Sequence, residues 1–221
     1  MSERTRAAII DQVGNINTLG VKDIEISRIP ENFVVIRTEF ASISPGDELL
    51  YKGTFGYNFQ SNTIGLQGSG TVIKSGGSVL ANSLLNKRVA FMSFGHDAIG
   101  SFSELALTDA NFVLPIRDDL SFEDAASAFT ALTVEYIMSK IRRGNHRAVI
   151  QNAAASSIGK AVIKYCNYYG IETINIVRRD DQIEILRSIG AENVSVQLKL
   201  GGKIGWDNCL GNWRQQLHLM L

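Results

Sequence analysis

The stretch Arg147-Ala-Val-Ile-Gln-Asn-Ala-Ala-Ala-Ser-Ser-Ile-Gly-Lys-Ala-Val-Ile-Lys-Tyr-Cys-Asn-Tyr-Tyr-Gly170 reads as a strand, a tight turn and a helix. Ala148-Val149-Ile150 makes a short apolar strand over Arg147–Gln151. From about Ser156 the spacing becomes helical, with Ile158, Ala161, Val162, Tyr165 and Tyr169 on one face. Gly170 is placed to end that helix. Further on, Thr173–Val177 predicts a buried strand, Gln182–Ile189 a helix stopped by Gly190, and Asn193–Val196 a third strand. Alternation of strand and helix at these lengths predicts a parallel, doubly wound sheet.

Before this stretch, Ser121-Phe-Glu-Asp places a hydroxyl ahead of acidic residues, a helix start, and helical spacing runs to about Ile141. Up to about residue 115 the texture differs. Short β-like runs, Arg6–Asp11, Phe33–Ile43, Ser69–Ile73, Arg88–Met92 and Phe102–Leu107, alternate with turns such as Ser44-Pro45-Gly46-Asp47, Gly65–Gly70, Gly76-Gly77 and Gly95–Gly100. These imply a small, mostly antiparallel β domain. We expect a β domain over residues 1–120 and a partial α/β domain over residues 121–221.

The composition is that of a globular protein: 221 residues, 45% hydrophobic, 20% charged, with 22 basic residues balancing 22 acidic ones. Neutral balance argues against electrostatically driven binding to nucleic acid or an anionic membrane. No apolar run approaches the roughly 20 residues that span a bilayer. Cys166 and Cys209 lack disulfide-framework and zinc-ligand spacing. Without a recognisable leader, a cytoplasmic location is expected ahead of a mitochondrial one.

The turn Asn152-Ala153-Ala154-Ala155-Ser156-Ser157-Ile158-Gly159 joins a strand's carboxyl end to a helix N-terminus, a place that suits a pyrophosphate. Laid on G-x-G-x-x-G it gives Ala154, Ser156 and Gly159, so only the last glycine survives. The alternative is a tight turn with small residues for packing. Dinucleotide folds that take a 2′-hydroxyl place an acidic residue at the tip of the second strand. Here the tip is Arg178-Arg179, which suits a 2′-phosphate because guanidinium groups offer paired donors. The alternative is that these arginines only solubilise the strand end. Asp180 and Asp181 fall at the start of the next helix.

The whole order of motifs resembles the zinc-independent branch of the medium-chain dehydrogenase/reductases, the quinone oxidoreductase and enoyl reductase group. The matching segments are Phe33–Asp47, Lys52–Gly56, Ile64–Val72, Asn86–Ala90, Gly100–Glu104, Ser121–Ala126 with Leu132-Thr133, the turn at 152–159, and Ile189–Val194. The resemblance implies a GroES-like, mostly antiparallel β domain followed by a Rossmann domain, with NADPH-dependent hydride transfer in the cleft between them. It implies Asn152, Ala154, Ser156, Ser157, Ile158, Gly159, Arg178 and Arg179 as cofactor contacts, and places Thr133 near the nicotinamide. The proton-donating tyrosine of enoyl thioester reductases falls at Phe55, so Tyr51 or Tyr57 would replace it, packing being the alternative for both.

Where zinc-dependent relatives have Gly-His-Glu, this chain has Gly65-Leu66-Gln67, and leucine cannot ligate zinc. His96 reads as a lone loop histidine. After Val196, Lys203–Asp207 reads as a strand and Trp213–Leu221 as a helix. Relatives continue beyond this point, so C-terminal truncation is expected, leaving half a Rossmann sheet. The expected function is zinc-independent reduction of a quinone, enone or enoyl thioester, an electrophilic small molecule, with room for a homodimer. The competing expectation is a non-catalytic NADP(H)-binding or partner-binding remnant of such an enzyme.

Overall fold

The computed structural model describes residues 3–52, 62–93 and 95–196, with two short strands at 199–200 and 203–204. The chain divides into two compact units, Met1–Phe129 and Thr130–Leu221.

In the first unit, β1 (Glu3–Ile10) and β2 (Leu19–Ile26) form an antiparallel hairpin. Around β3 (Phe33–Ser42), β4 (Gln67–Ser75), β5 (Arg88–Met92), β6 (Leu105–Asp109) and β7 (Val113–Pro115) lies an antiparallel sheet in the order β6-β3-β4-β5-β7. The period-two alternation of β3 explains how the sheet buries both faces. Val34 and Ile36 join Val72, Val89 and Phe91 in one cluster, whereas Val35 joins Ile26, Ile99 and Leu107 in another. The β3–β4 register shifts between Val35 and Ile36 and again between Thr38 and Phe40. Gly70 allows the close approach there: a Cβ on it would lie 2.1 Å from the Arg37 carbonyl oxygen.

Three features depart from expectation. β2 was not predicted: most of its residues are exposed, and its apolar residues Leu19, Val21, Ile24 and Ile26 fall out of step across Lys22-Asp23, which breaks the alternation. The predicted strand Phe102–Leu107 begins at Leu105 instead. Phe102 is used elsewhere, its amide bonding to Ile64 and its carbonyl accepting from Ala8. Two short helices punctuate the β unit: α1 (Pro45–Tyr51), opened by proline, and α2 (Val79–Ser83), capped by the Ser78 hydroxyl accepting from the Ala81 amide.

Ser121 does start a helix, its hydroxyl accepting from the Asp124 amide at 3.0 Å. That helix, α3 (Phe122–Ala125), stops after four residues, and the long predicted helix resumes as α4 (Ala128–Arg143). Arg88 holds the preceding segment. Its guanidinium donates to the carbonyls of Arg117 (3.0 Å), Asp118 (2.8 Å) and Leu120 (2.7 Å), and lies 4.4 Å above the Phe122 ring.

The second unit carries β8 (Ala148–Gln151), α5 (Ser157–Tyr169), β9 (Glu172–Val177), α6 (Asp181–Arg187) and β10 (Asn193–Val196). The three strands are parallel, in the order β10-β9-β8. Gly170 ends α5 in the left-handed region at φ 65°. Helix α5 packs in two directions, Val162 and Cys166 with Val134, Met138 and Ile141 of α4, and Ile163 with Val177, Leu186 and Ala191. Burial pushes the Cys166 thiol up to about 11, leaving it a core group 3.8 Å from the Met138 sulfur. At the surface Arg142 donates to Glu135 (2.7 Å) and Tyr165 (2.9 Å), tying α4 to α5, and the Tyr165 hydroxyl, which also donates to Glu135, together with Arg142 holds the Glu135 carboxyl below its ordinary range.

Of the expected strand at Lys203–Asp207 only Lys203–Ile204 lies within the described residues, and it is not hydrogen-bonded to the parallel sheet. This part, β12 (Lys203–Ile204), pairs antiparallel with β11 (Lys199–Leu200). A two-residue return has no room for the crossover that a parallel neighbour needs. The predicted helix Trp213–Leu221 lies outside the described residues. Among the described residues no helix is long and apolar enough to cross a membrane.

Replacing Arg88 by Ala removes three charge-assisted bonds at once. We expect a loss of about 2–4 kcal/mol in chemical denaturation, given typical values for bonds to charged groups. A variant as stable as the parent would show that the clamp holds nothing.

Candidate functional site

The turn after β8 is built from small residues that bring helix and strand together. Ala153 takes a left-handed φ of 48°, and its carbonyl accepts from the Ser156 amide at 2.8 Å. Ala154 is fully buried, and its amide bonds the Ile176 carbonyl on β9 at 3.2 Å. Ser156 caps α5, its hydroxyl accepting from the Gly159 amide at 3.1 Å. Gly159 lies against the turn so closely that a Cβ there would stand 2.4 Å from the Ala154 oxygen and 2.7 Å from its Cα.

This arrangement leaves the amides of Ser157 and Ile158 without an acceptor among the described residues, at the positive end of a thirteen-residue helix. They open beside a cavity of about 410 Å³ lined by Ile137, Val149, Ile150, Gln151, Asn152, Ser156, Ile158, Gly159 and Val162. Asn152, Ser156, Ile158 and Gly159 thus meet at one cavity. Ala154 lies beneath the turn and Ser157 forms the first helical position.

Two residues escaped the sequence reading. Gln151 donates both to the Gly159 carbonyl (3.1 Å) and to the Asn175 side chain (2.7 Å). Asn175, fully buried in β9, donates in turn to the Thr173 hydroxyl (2.9 Å) and the Asn193 carbonyl (3.1 Å). These bonds stitch the turn to all three strands. The available signal was a polar residue in each of two apolar strands, at positions that pair directly.

Arg178 and Arg179 follow β9 and are exposed. Arg179 grips Asp181, with Nε 3.0 Å and Nη2 3.3 Å from the two carboxylate oxygens. The pairing lowers the Asp181 carboxyl from its ordinary range and raises the Arg179 guanidinium. The Arg178 guanidinium has no bond among the described residues, although its backbone amide donates to the Gln182 side chain at 3.0 Å.

Within the second unit, Thr133 is not among the residues that line this cavity. Thr133 is an exposed residue of α4. Tyr51 ends α1 in the first unit, half-buried, with its carbonyl accepting from the Gly14 amide at 2.6 Å. Tyr57 and Phe55 lie outside the described residues. Near Tyr51, the buried Asp47 carboxylate accepts from the Ser44 amide (2.7 Å), the Ser44 hydroxyl (2.8 Å) and the Leu66 amide (2.8 Å). Its role in joining the two motif turns was not read from the sequence. His96 sits exposed in a turn, 3.9 Å from Asp97.

No protein-family model matches the chain. A mitochondrial enoyl-[acyl-carrier-protein] reductase of Caenorhabditis elegans is 31% identical over 176 residues, covering 76% of this chain and 49% of that protein. The human mitochondrial enoyl-[acyl-carrier-protein] reductase is 25% identical over 207 residues, covering 89% of this chain and 54% of that protein. Among solved structures, a protein assigned as an NADPH:quinone reductase from Mesorhizobium loti superposes with a TM-score of 0.80 at 26% identity, over 98% of this chain and 64% of that one.

The chain belongs to the medium-chain dehydrogenase/reductase family.

It spans about half the length of the curated relatives it matches. A mycobacterial protein solved with NADPH shares the fold, with a TM-score of 0.72 at 20% identity over 89% of this chain and 60% of that one. The antiparallel first unit is accordingly GroES-like and the parallel second unit Rossmann-like. In this family fold the Ala154–Gly159 contact occupies the place of the third fingerprint glycine, whose role is close helix–strand packing.

Two glycine variants separate packing from backbone freedom. Gly170→Ala meets open space and pays only for its left-handed φ, about 1–2 kcal/mol. Gly159→Ala collides with backbone, so we expect it to destabilise the second unit more than Gly170→Ala in urea titrations. Equal losses would deny the close contact its importance.

Proposed function

We propose that this chain binds NADPH at the 152–159 turn and acts, without zinc, as a reductase of quinones, enones or enoyl thioesters. The observation that carries the reading is the pairing of a glycine-packed helix start, beside a 410 Å³ cavity, with an exposed and unengaged Arg178 at the tip of the second strand. A pyrophosphate fits the first feature, because the Ser157 and Ile158 amides and the helix dipole favour an anion. A 2′-phosphate fits the second, because guanidinium offers paired donors and a carboxylate there would repel it.

When bound, NADPH supplies a hydride to an electrophilic carbon. The chain's part is to hold and orient. Ser156 fixes the first turn of α5, Gln151 anchors it to the sheet, and Asn152 contributes a polar side chain to the cavity wall. Thr133 is assigned a place near the reacting ring, and Tyr51 or Tyr57 the protonation of the substrate. A conjugated acceptor is already polarised, so no metal is required at Leu66, whose hydrocarbon side chain offers no ligand.

Arg178→Ala should weaken NADPH roughly 10- to 100-fold in a fluorescence titration and leave NADH little changed, the range expected for a charge-assisted contact. Equal affinities of the unmodified chain for the two cofactors would sink the NADPH assignment. Elemental analysis should find no stoichiometric zinc, and chelation should leave the thermal melt in place. For activity, the purified chain is given NADPH with a panel of quinones, enones and an enoyl thioester. Turnover is the expected result, and tight NADPH binding with none would assign the chain a binding role instead.

A further inference from the structure

Arg178 and Arg179 are adjacent but chemically unequal. Arg179 presents two donors to the two oxygens of Asp181, at 3.0 and 3.3 Å. That is the fork by which a guanidinium holds a phosphate. Asp180, equally exposed and one residue closer, makes no side-chain bond at the start of α6. Meanwhile Gln182 fastens the Arg178 backbone and leaves its guanidinium open.

We propose that Asp181 is a specificity-determining residue, its carboxylate standing in on Arg179 for the ligand's 2′-phosphate. This inference rests on the NADPH reading. A 2′-phosphate meets Arg178 unopposed, but must displace Asp181 to engage Arg179. Both partners are exposed, with side-chain accessibilities of 61% and 63%, so the pair is weak and its displacement easy. A ligand with a 2′-hydroxyl has no charge to exchange for the carboxylate and leaves the pair intact. Asp181 therefore lowers the affinity for 2′-phosphorylated ligands selectively, and narrows the preference that the two arginines would otherwise confer.

Removing any negative charge nearby would also help a phosphate bind, and Asp180 separates that effect from direct competition. The probes are adenosine 2′,5′-bisphosphate, which carries the phosphate without the nicotinamide, and 5′-AMP, which lacks it. Their affinities are measured by calorimetry on the full chain and on Asp181→Asn, Asp180→Asn, Arg179→Ala and the Arg179→Ala/Asp181→Asn double variant. Asp181→Asn should bind the bisphosphate roughly two- to fivefold more tightly, the scale of a surface ion pair, with 5′-AMP unchanged. Asp180→Asn should gain clearly less, and Arg179→Ala should abolish the gain from Asp181→Asn. Asp181→Ser, which removes the charge with a different polar side chain, should show the same gain even where asparagine disturbs the start of α6.

Equal gains from the two Asp→Asn variants would overturn the proposal, as would no gain from Asp181→Asn and Asp181→Ser, or a gain that survives Arg179→Ala. If the parent prefers the bisphosphate and only these variant results fail, the NADPH reading stands without this refinement. If the parent binds both probes alike, the NADPH reading and this inference fall together.

Discussion

The first turn of α5 lies against the backbone of Ala154, and no side chain fits between them. The second unit's candidate site depends on this contact. It brings the helix N-terminus to the carboxyl end of β8, aims the Ser157 and Ile158 amides outward, and sets one wall of the cavity. The usual route to such a turn is three glycines. Here Ala154 and Ser156 occupy two of those places. Ala154 is tolerated because its side chain is buried in the cluster with Ile163 and Val177. Ser156 uses its hydroxyl as a cap.

The turn is held from below as well as by its own packing. Gln151 has two amide hydrogens and spends one on the helix and one on Asn175. Asn175 passes the connection to β9 and β10. In a buried sheet an unsatisfied amide costs more than it does in water, so such a chain specifies one register of strands and one seat for the helix. Its cost is that neither residue can be replaced singly by an apolar one without stranding its partner. In the first unit Asp47 plays a comparable part, fastening two motif turns through three donated bonds.

Much of this was legible in the sequence where the controlling interactions are local. Ser121 and Ser156 cap helices, Gly170 ends one, and strand β10 spans Asn193–Val196, as their own neighbourhoods indicate. That the strands of the second unit run parallel followed from alternation alone. What escaped is non-local or weakly patterned. β2 is a largely exposed strand whose apolar alternation is broken at Lys22-Asp23, and the residues from Phe102 to Glu104 are diverted by partners far away in the chain. The inequality of the two arginines could not be read either, because it depends on which guanidinium reaches Asp181. The partner of the strand expected at Lys203 was not legible either: its described part pairs with Lys199–Leu200, and two alternating residues do not reveal their partner.

The central claim is that the turn at 152–159 and the tip of β9 together form a site for a 2′-phosphorylated dinucleotide. Amide hydrogen exchange resolved by mass spectrometry, with and without saturating NADPH, tests it most directly. The account predicts slowed exchange in peptides covering residues 153–160 and 178–182, with NADH slowing the first set and sparing the second. Protection by NADPH confined to other segments, or identical patterns from both cofactors, would contradict it.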